Sequence, residues 1–266
     1  NRGARGAPKP RVGALRCGRS VGNKALLCYS ISYFIYGGCR MSKTPEEWKL
    51  AIAEMLLKTE SIQIYKERPF VFVSGRISPV YIDCRKLLSF PDVREAIVDQ
   101  MAKTVENEIG LDVIDVVAGG ETAGIPYAAF VSQKIRKPMI YVRKNPKGYG
   151  QTKQIEGVLN AGQRVLLVED LITDGLSKVR CNIRIRAEGA KITHCLCIFE
   201  YGSDRLGLHE GKETLAKHEI RLHTLVNWDD VLSTGLSKKY FSDEQSKQIL
   251  DFLKEPENWG RKMGFS

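Results

Sequence analysis

An apolar run, Val165 to Val168, ends in two adjacent carboxylates, Glu169 and Asp170, and is followed within a few residues by Thr173, Asp174, Gly175, Leu176 and Ser177. The run reads as a strand and the residues after it as the start of a helix, where free backbone N–H groups and small hydroxyls can surround a phosphate and Gly175 lets the backbone approach it. Two acids beside a polyanion repel it unless they meet something else. Sugar hydroxyls, which donate hydrogen bonds, or Mg²⁺, which neutralises charge, are the suitable partners. A phosphorylated ribose satisfies both demands. The plainer alternative is a pair of solvated acids at a strand end, with Asp174 as a helix cap. Neither a G-x4-G-K-[ST] run nor a G-x-G-x-x-G run opening a helix occurs, so a P-loop or a dinucleotide fold is not supported.

The elements that must position these residues alternate along the chain. A helix is expected from about 46 to 58, with Ser42 or Thr44 as cap, then extended pieces at IQIY, FVFVSG and PVYID. A second helix starts at Pro91, with Val93, Ile97, Val98, Met101 and Val105 at helical spacing. Strand, helix and strand follow at 114–120, TAGIPYAAFVSQKI and 138–143. A basic, glycine-rich interval, KNPKGYGQTKQIEG, separates them from the strand at 164–170, a helix from about 175 to 188, and strands at KITHCLCIFE and IRLHTLV. Such alternation predicts an α/β fold with a mostly parallel sheet and helices on both faces.

The bulk numbers agree with one folded unit: 266 residues, 43% hydrophobic and 27% charged. The net charge of +10 is concentrated at the front. Residues 1–40 hold eight Arg or Lys and no acid, leaving +2 for residues 41–266, so the body lacks the basic face nucleic acid requires. Residues 1–40 also carry an apolar run of signal-core length, ALLCYSISYFIYGGC, and are expected to be an extension outside the fold: translated upstream sequence, a secretory signal or an organellar presequence, with Met41 as the start of the domain at 41–266. Seven cysteines with no regular spacing point to a reducing, cytoplasmic setting. Cys195 and Cys197 alternate along one strand and should share a core face, and the four histidines sit at no ligand spacing.

VLLVEDLITDGLSK resembles the phosphoribosyl-pyrophosphate (PRPP) motif of type I phosphoribosyltransferases, and FVSGRISPVYIDCR, AGGETAGIP and YVRKNPKGYG resemble orotate phosphoribosyltransferase blocks in the same order, together covering about 60–200. The resemblance implies the type I phosphoribosyltransferase fold, a mostly parallel central sheet flanked by helices with a small N-terminal hood. It also implies Mg²⁺-dependent transfer of 5-phosphoribose from PRPP to orotate, in a cytoplasmic homodimer with shared active sites and no membrane or nucleic-acid partner. Two rivals remain at this stage: a purine-type phosphoribosyltransferase and a PRPP-binding regulator without turnover.

Carried over by position, the resemblance assigns Glu169 and Asp170 to the ribose hydroxyls and Thr173, Asp174, Gly175, Leu176 and Ser177 to the 5-phosphate. Gly119, Gly120, Glu121 and Thr122 match the loop beside the pyrophosphate. Lys147 matches the catalytic lysine, delivered across the dimer, with Arg143 and Lys144 on phosphate. Phe72, Ser74, Arg76, Ser78 and Tyr81 match the orotate pocket, which Thr173 borders. No residue is assigned as a direct metal ligand, because PRPP itself carries the Mg²⁺. The chain departs from the family pattern at Val73 and Ala123, where lysine is common, at Tyr149, where histidine is common, and at Tyr201, where an arginine usually grips the orotate carboxylate.

Overall fold

The computed structural model describes residues 43–72, 75–146 and 154–265. Residues 1–40, Met41, Val73, Ser74, Lys147 and Tyr149 lie outside the described residues.

Helix α1 (Pro45–Lys58) opens the described chain. Thr44 caps it: Glu47 N–H donates to Thr44 Oγ1 at 3.3 Å and Thr44 N–H to Glu47 Oε2 at 2.7 Å, so two amides that the helix cannot pair are satisfied reciprocally. Four short strands follow as two antiparallel pairs, β1 (Ile62–Ile64) with β4 (Val80–Ile82), and β2 (Phe70–Val71) with β3 (Ile77–Ser78). These pairs form the hood. A 3₁₀ turn, Cys84–Ser89, then leads into α2 (Pro91–Thr104), which starts at the expected proline and buries Val93, Ile97, Val98 and Met101.

The body is a six-stranded sheet in the order β10-β9-β8-β5-β6-β7. Strands β5 (Val116–Gly120), β6 (Met139–Val142), β8 (Arg164–Ile172), β9 (Lys191–Glu200) and β10 (Arg221–Val226) are parallel, and β7 (Ile155–Glu156) adds an antiparallel edge to β6. Between the strands run α3 (Gly124–Ile135), α4 (Leu176–Ala187) and α5 (Glu210–Ala216). Strands covered on both faces must be apolar throughout, as Val116, Ala118, Val165, Leu167, Cys195 and Cys197 are; all are fully buried. Each such Leu, Ile or Val side chain contributes about 1.5–3 kcal/mol through burial. Cys195 and Cys197 share a face as expected, their sulfurs 3.8 Å apart.

After β10 come three helices: α6 (Trp228–Ser237), α7 (Asp243–Lys254) and α8 (Trp259–Lys262). The NWDDVL segment begins α6, with Asn227 Oδ1 accepting from Asp229 and Asp230 N–H at 2.9 and 3.3 Å. The chain then returns to the hood. Trp259 packs edge-on against Tyr65 and Phe252 and stacks on Phe265, and Gly260 lies so close to Ile77 that a Cβ there would come within 2.7 Å of it.

Candidate active site

Parallel pairing aligns the carboxyl ends of β5, β6 and β8, and the cavity lies where they end, as expected for an open α/β sheet. Gly119 faces Val168 and Gly120 faces Val142 across the ladders, so the loop after β5, the end of β6 and the two acids of β8 meet at one level. The cavity measures about 720 Å³ and is lined by Glu121, Thr122, Lys144, Glu169, Asp170, Thr173 and Ser177 among the expected residues. It is also lined by Asp83, Arg85, Lys178, Arg180 and Arg184, which the motif reading did not single out. Five cations therefore face a space large enough for a sugar carrying phosphates.

Strand β8 continues two residues beyond its expected end. Leu171 and Ile172 still pair with Phe199 and Glu200 of β9, so the acids sit inside the last ladder rather than on a loop. Alternation along the strand sends their side chains in opposite directions. The Glu169 carboxylate is buried against the chain at Gly120 and Gly124; a Cβ at Gly120 would clash with Glu169 Oε1, and one at Gly124 would lie 2.8 Å from Oε2. At Gly119 a Cβ would lie 2.8 Å from both Gly124 O and Ile125 Cα. The paired glycines are thus required by packing, in addition to any approach to an anion. The Glu121–Thr122 peptide bond is cis.

Burial pushes Glu169 from its ordinary 4.5 up to about 7, against the pull of the buried Lys178 ammonium. Asp170 is also raised by burial, with Lys178 and Arg85 among the groups opposing the shift. Lys178 is raised despite its burial because Glu169 lies beside it. The sign of the linkage follows. A carboxyl whose folded pKa exceeds its unfolded one adds stability that is complete below about pH 4.5 and is lost as pH rises through about 7. Hydroxyl donors favour the ionised form, so a bound sugar should lower this pKa and bind more tightly as pH rises through the same window. In infrared difference titration of the ligand-free protein, a protonated carboxyl band should disappear near pH 7 and be missing in Glu169→Gln. A wild-type spectrum showing this carboxyl already ionised at pH 5 would rule out the shift.

Thr173 and Ser177 face the cavity at the start of α4. Gly175, the residue before the helix, has φ +79°, a left-handed value that glycine adopts without strain, and Asp174 Oδ1 accepts from Leu176 N–H at 3.0 Å. Leu176 is half exposed. The foot of the basic interval is held in place: Lys144 N–H donates to Glu121 Oε2 at 2.6 Å, and Arg184 Nη2 and Gln154 Nε2 donate to Lys144 O at 2.7 and 3.1 Å. Arg143 lies 3.5 Å from Glu156 in an ion pair on the β6–β7 edge and does not line the cavity.

A second cavity of about 420 Å³ adjoins the first and shares Ile82, Leu171 and Thr173 with it. Its walls are Phe72, Tyr81, Tyr201, Leu208, Phe252, Leu253 and Pro256, with Arg76, Asp174 and Glu210 as charged groups. The structure brings Phe72, Arg76, Tyr81 and Thr173 together here as expected. Ser78 is buried alongside, its hydroxyl donating to Val80 O at 2.7 Å. Tyr201 is half-buried and packs edge-on against Phe199 and Trp228, its hydroxyl near Ser78 and Arg76.

The missed cavity residues on α4 did leave a sequence signal. Ser177, Arg180, Cys181 and Arg184 recur at three- and four-residue intervals, the spacing of a single helix face. Arg85 left none, and the wall from α7 lies about 180 residues from Phe72 in sequence.

No protein-family model matches the chain. Curated relatives do. An orotate phosphoribosyltransferase of Dinoroseobacter shibae is 44% identical over 217 residues, covering 81% of this chain and 94% of the relative, and one of Rhizobium rhizogenes is 40% identical over 213 residues, covering 80% and 90%. Among solved structures, orotate phosphoribosyltransferase from Aeropyrum pernix matches with a TM-score of 0.59 at 28% identity, covering 72% of this chain and 99% of that one. The Leishmania donovani UMP synthase structure shares the fold, with a TM-score of 0.66 at 23% identity, covering 78% of this chain and 42% of that longer one.

Proposed function

The chain belongs to the orotate phosphoribosyltransferase family, and from that premise we propose that its two adjoining cavities hold PRPP and orotate, and that it transfers 5-phosphoribose to N1 of the base in pyrimidine biosynthesis. The observation that carries this reading is the join itself. A cavity with the Glu169–Asp170 pair among its four carboxylates, a helix N-terminus and five cations opens through Leu171 and Thr173 onto an aromatic one sized for a planar base.

Breaking the ribose C1–O bond leaves cationic character on the sugar and an electron pair on the departing pyrophosphate; N1 bonds to C1 as its N–H proton is lost, and the released pyrophosphate oxygens can take up that proton. No covalent nucleophile is needed. Glu169 and Asp170 accept hydrogen bonds from the ribose hydroxyls, which orients C1 toward the aromatic cavity. Thr173, Ser177 and the first amides of α4 hold the 5-phosphate. Lys144, Arg85 and Arg180 offset the charge of the pyrophosphate, with Lys147 contributed by the basic loop, while Arg143 stays paired to Glu156 outside the cavity. Phe72, Tyr81 and Tyr201 enclose the base and limit the access of water, which would otherwise capture the sugar.

Mg²⁺ takes one or two carboxylates together with substrate phosphates rather than a dedicated protein cage. Asp170 and Glu121 face the cavity and fit that role, while no group of three or more acidic, His or Cys side chains occurs among the described residues. When bound, the ion would neutralise charge on the diphosphate. The lysine delivered across a subunit boundary makes a homodimer part of the proposal. A cytoplasmic setting agrees with the unpaired Cys84, Cys181, Cys195 and Cys197, and among the described residues no helix is long and apolar enough to cross a membrane.

Pyrophosphate release measured with PRPP, Mg²⁺ and each of orotate, uracil, adenine and hypoxanthine tests the assignment. Release is expected with orotate far above the rest. Release only with a purine, or with no base at all, would overturn it.

A further inference from the structure

Orotate carries a carboxylate on its ring, and an enclosed carboxylate needs a cation or a set of donors. Among the described residues that line the aromatic cavity, Arg76 is the one basic side chain; the other charged groups, Asp174 and Glu210, would repel the substrate. Arg76 is already engaged. Its Nη2 is hydrogen-bonded and ion-paired to Glu257 Oε1, on the turn between α7 and α8. Pro256 of that turn lines the aromatic cavity, while Glu257 faces a smaller adjoining one of about 300 Å³ with Arg261, so Arg76 borders both. The turn is firmly built, with Lys262 Nζ 2.6 Å from Glu255 Oε2 and Trp259 fixed in the aromatic cluster of the hood. Glu257 itself is exposed at 68% and Arg76 at 38%, so their pairing is of the solvated kind that contributes little to stability and exchanges at little cost.

We propose that Arg76 is the group that receives the carboxylate of the base, and that Glu257 occupies this position in the free protein and is displaced by the substrate. The proposal rests on the reading of the aromatic cavity as the orotate site. Its physical content is an exchange of one carboxylate for another on the same guanidinium. The Arg76 guanidinium then keeps one carboxylate partner throughout, and a base without a carboxylate cannot make the exchange. Selectivity for an acidic base would come from the hood and the carboxyl-terminal turn together.

The test uses the full chain with orotate and PRPP as probes. Arg76→Gln should raise the KM for orotate roughly 10- to 100-fold, the loss expected for a hydrogen bond to a charged group, while PRPP affinity, which also reports correct folding, is kept. Glu257→Gln should lower the KM for orotate about 2- to 5-fold by removing the competitor. In the Arg76→Gln background the same Glu257→Gln change should have no effect. A scaffolding role for the pair predicts the opposite for Glu257→Gln, a KM that rises or stays the same. An unchanged orotate KM in Arg76→Gln, or no gain in Glu257→Gln, overturns the inference while leaving the enzymatic reading intact. Wild-type protein that releases no pyrophosphate with orotate overturns both.

Discussion

Replacing Glu169 by Gln and Asp170 by Asn together should weaken PRPP binding by roughly 100- to 10,000-fold at pH 7.5. Each acid is assigned a charge-assisted hydrogen bond from a ribose hydroxyl, and such bonds contribute about 1.5–3 kcal/mol apiece. Both replacements keep side-chain volume, which matters at Glu169, because its carboxylate fills the space left by Gly120 and Gly124. The double change also removes the charge beside Lys178, so the thermal midpoint must be measured with the affinity. A buried ammonium that loses its partner is costly, and some loss of stability is expected. Calorimetric titration with PRPP and Mg²⁺ at a temperature well below that midpoint separates the two effects. An affinity within threefold of wild type would show that the sugar lies elsewhere, and the function proposed for the cavity would fail with it.

The second large effect is expected on turnover rather than binding. Lys147→Ala should reduce kcat by about 100- to 1,000-fold, the typical consequence of removing one preorganised charge from a developing anion, with PRPP affinity changed only a few-fold. A loss confined to kcat marks an interaction made mainly in the transition state. Mixing this variant with the Glu169→Gln/Asp170→Asn protein adds a test of delivery across subunits. If Lys147 serves the partner's site, exchange of subunits creates dimers with one intact site, and activity returns from two inactive preparations. Near-normal turnover in Lys147→Ala would remove the lysine from the mechanism. Silence on mixing, with subunit exchange verified, would place it in its own subunit's site.

Local chemistry explains why the position of the acids at a strand end, the glycine turn after them and the order of elements were readable in advance. A strand buried on both faces has to be an apolar run, a helix start needs a cap or a proline, and a left-handed residue such as Gly175 favours glycine. These requirements act over a few residues, so Pro45, Pro91 and the run from Val165 declare themselves. The same holds for Cys195 and Cys197, whose common face follows from the period of a strand.

Contacts between distant segments were decided by tertiary structure. Nothing near Glu169 in sequence announces that Gly120 and Gly124 must leave room for it, or that Lys178 is buried beside it; the raised pKa is a product of that enclosure. The five cations of the larger cavity come from the 3₁₀ turn after the hood, the foot of the basic loop and one face of α4, and only parallel register brings them to one level. The base cavity depends most on long range. Its far wall, Phe252 and Leu253 of α7 and Pro256 of the turn after it, and the carboxylate on Arg76 arrive from about 180 residues downstream, held by the packing of Trp259 against Tyr65. Sequence alone thus determined the strand, the acids at its end and the glycine turn that opens the next helix, because backbone geometry dictates them locally. Which side chains line the two cavities was settled by the closing of the chain on itself, because side-chain packing is chosen by volume and shape with no regard for distance along the chain.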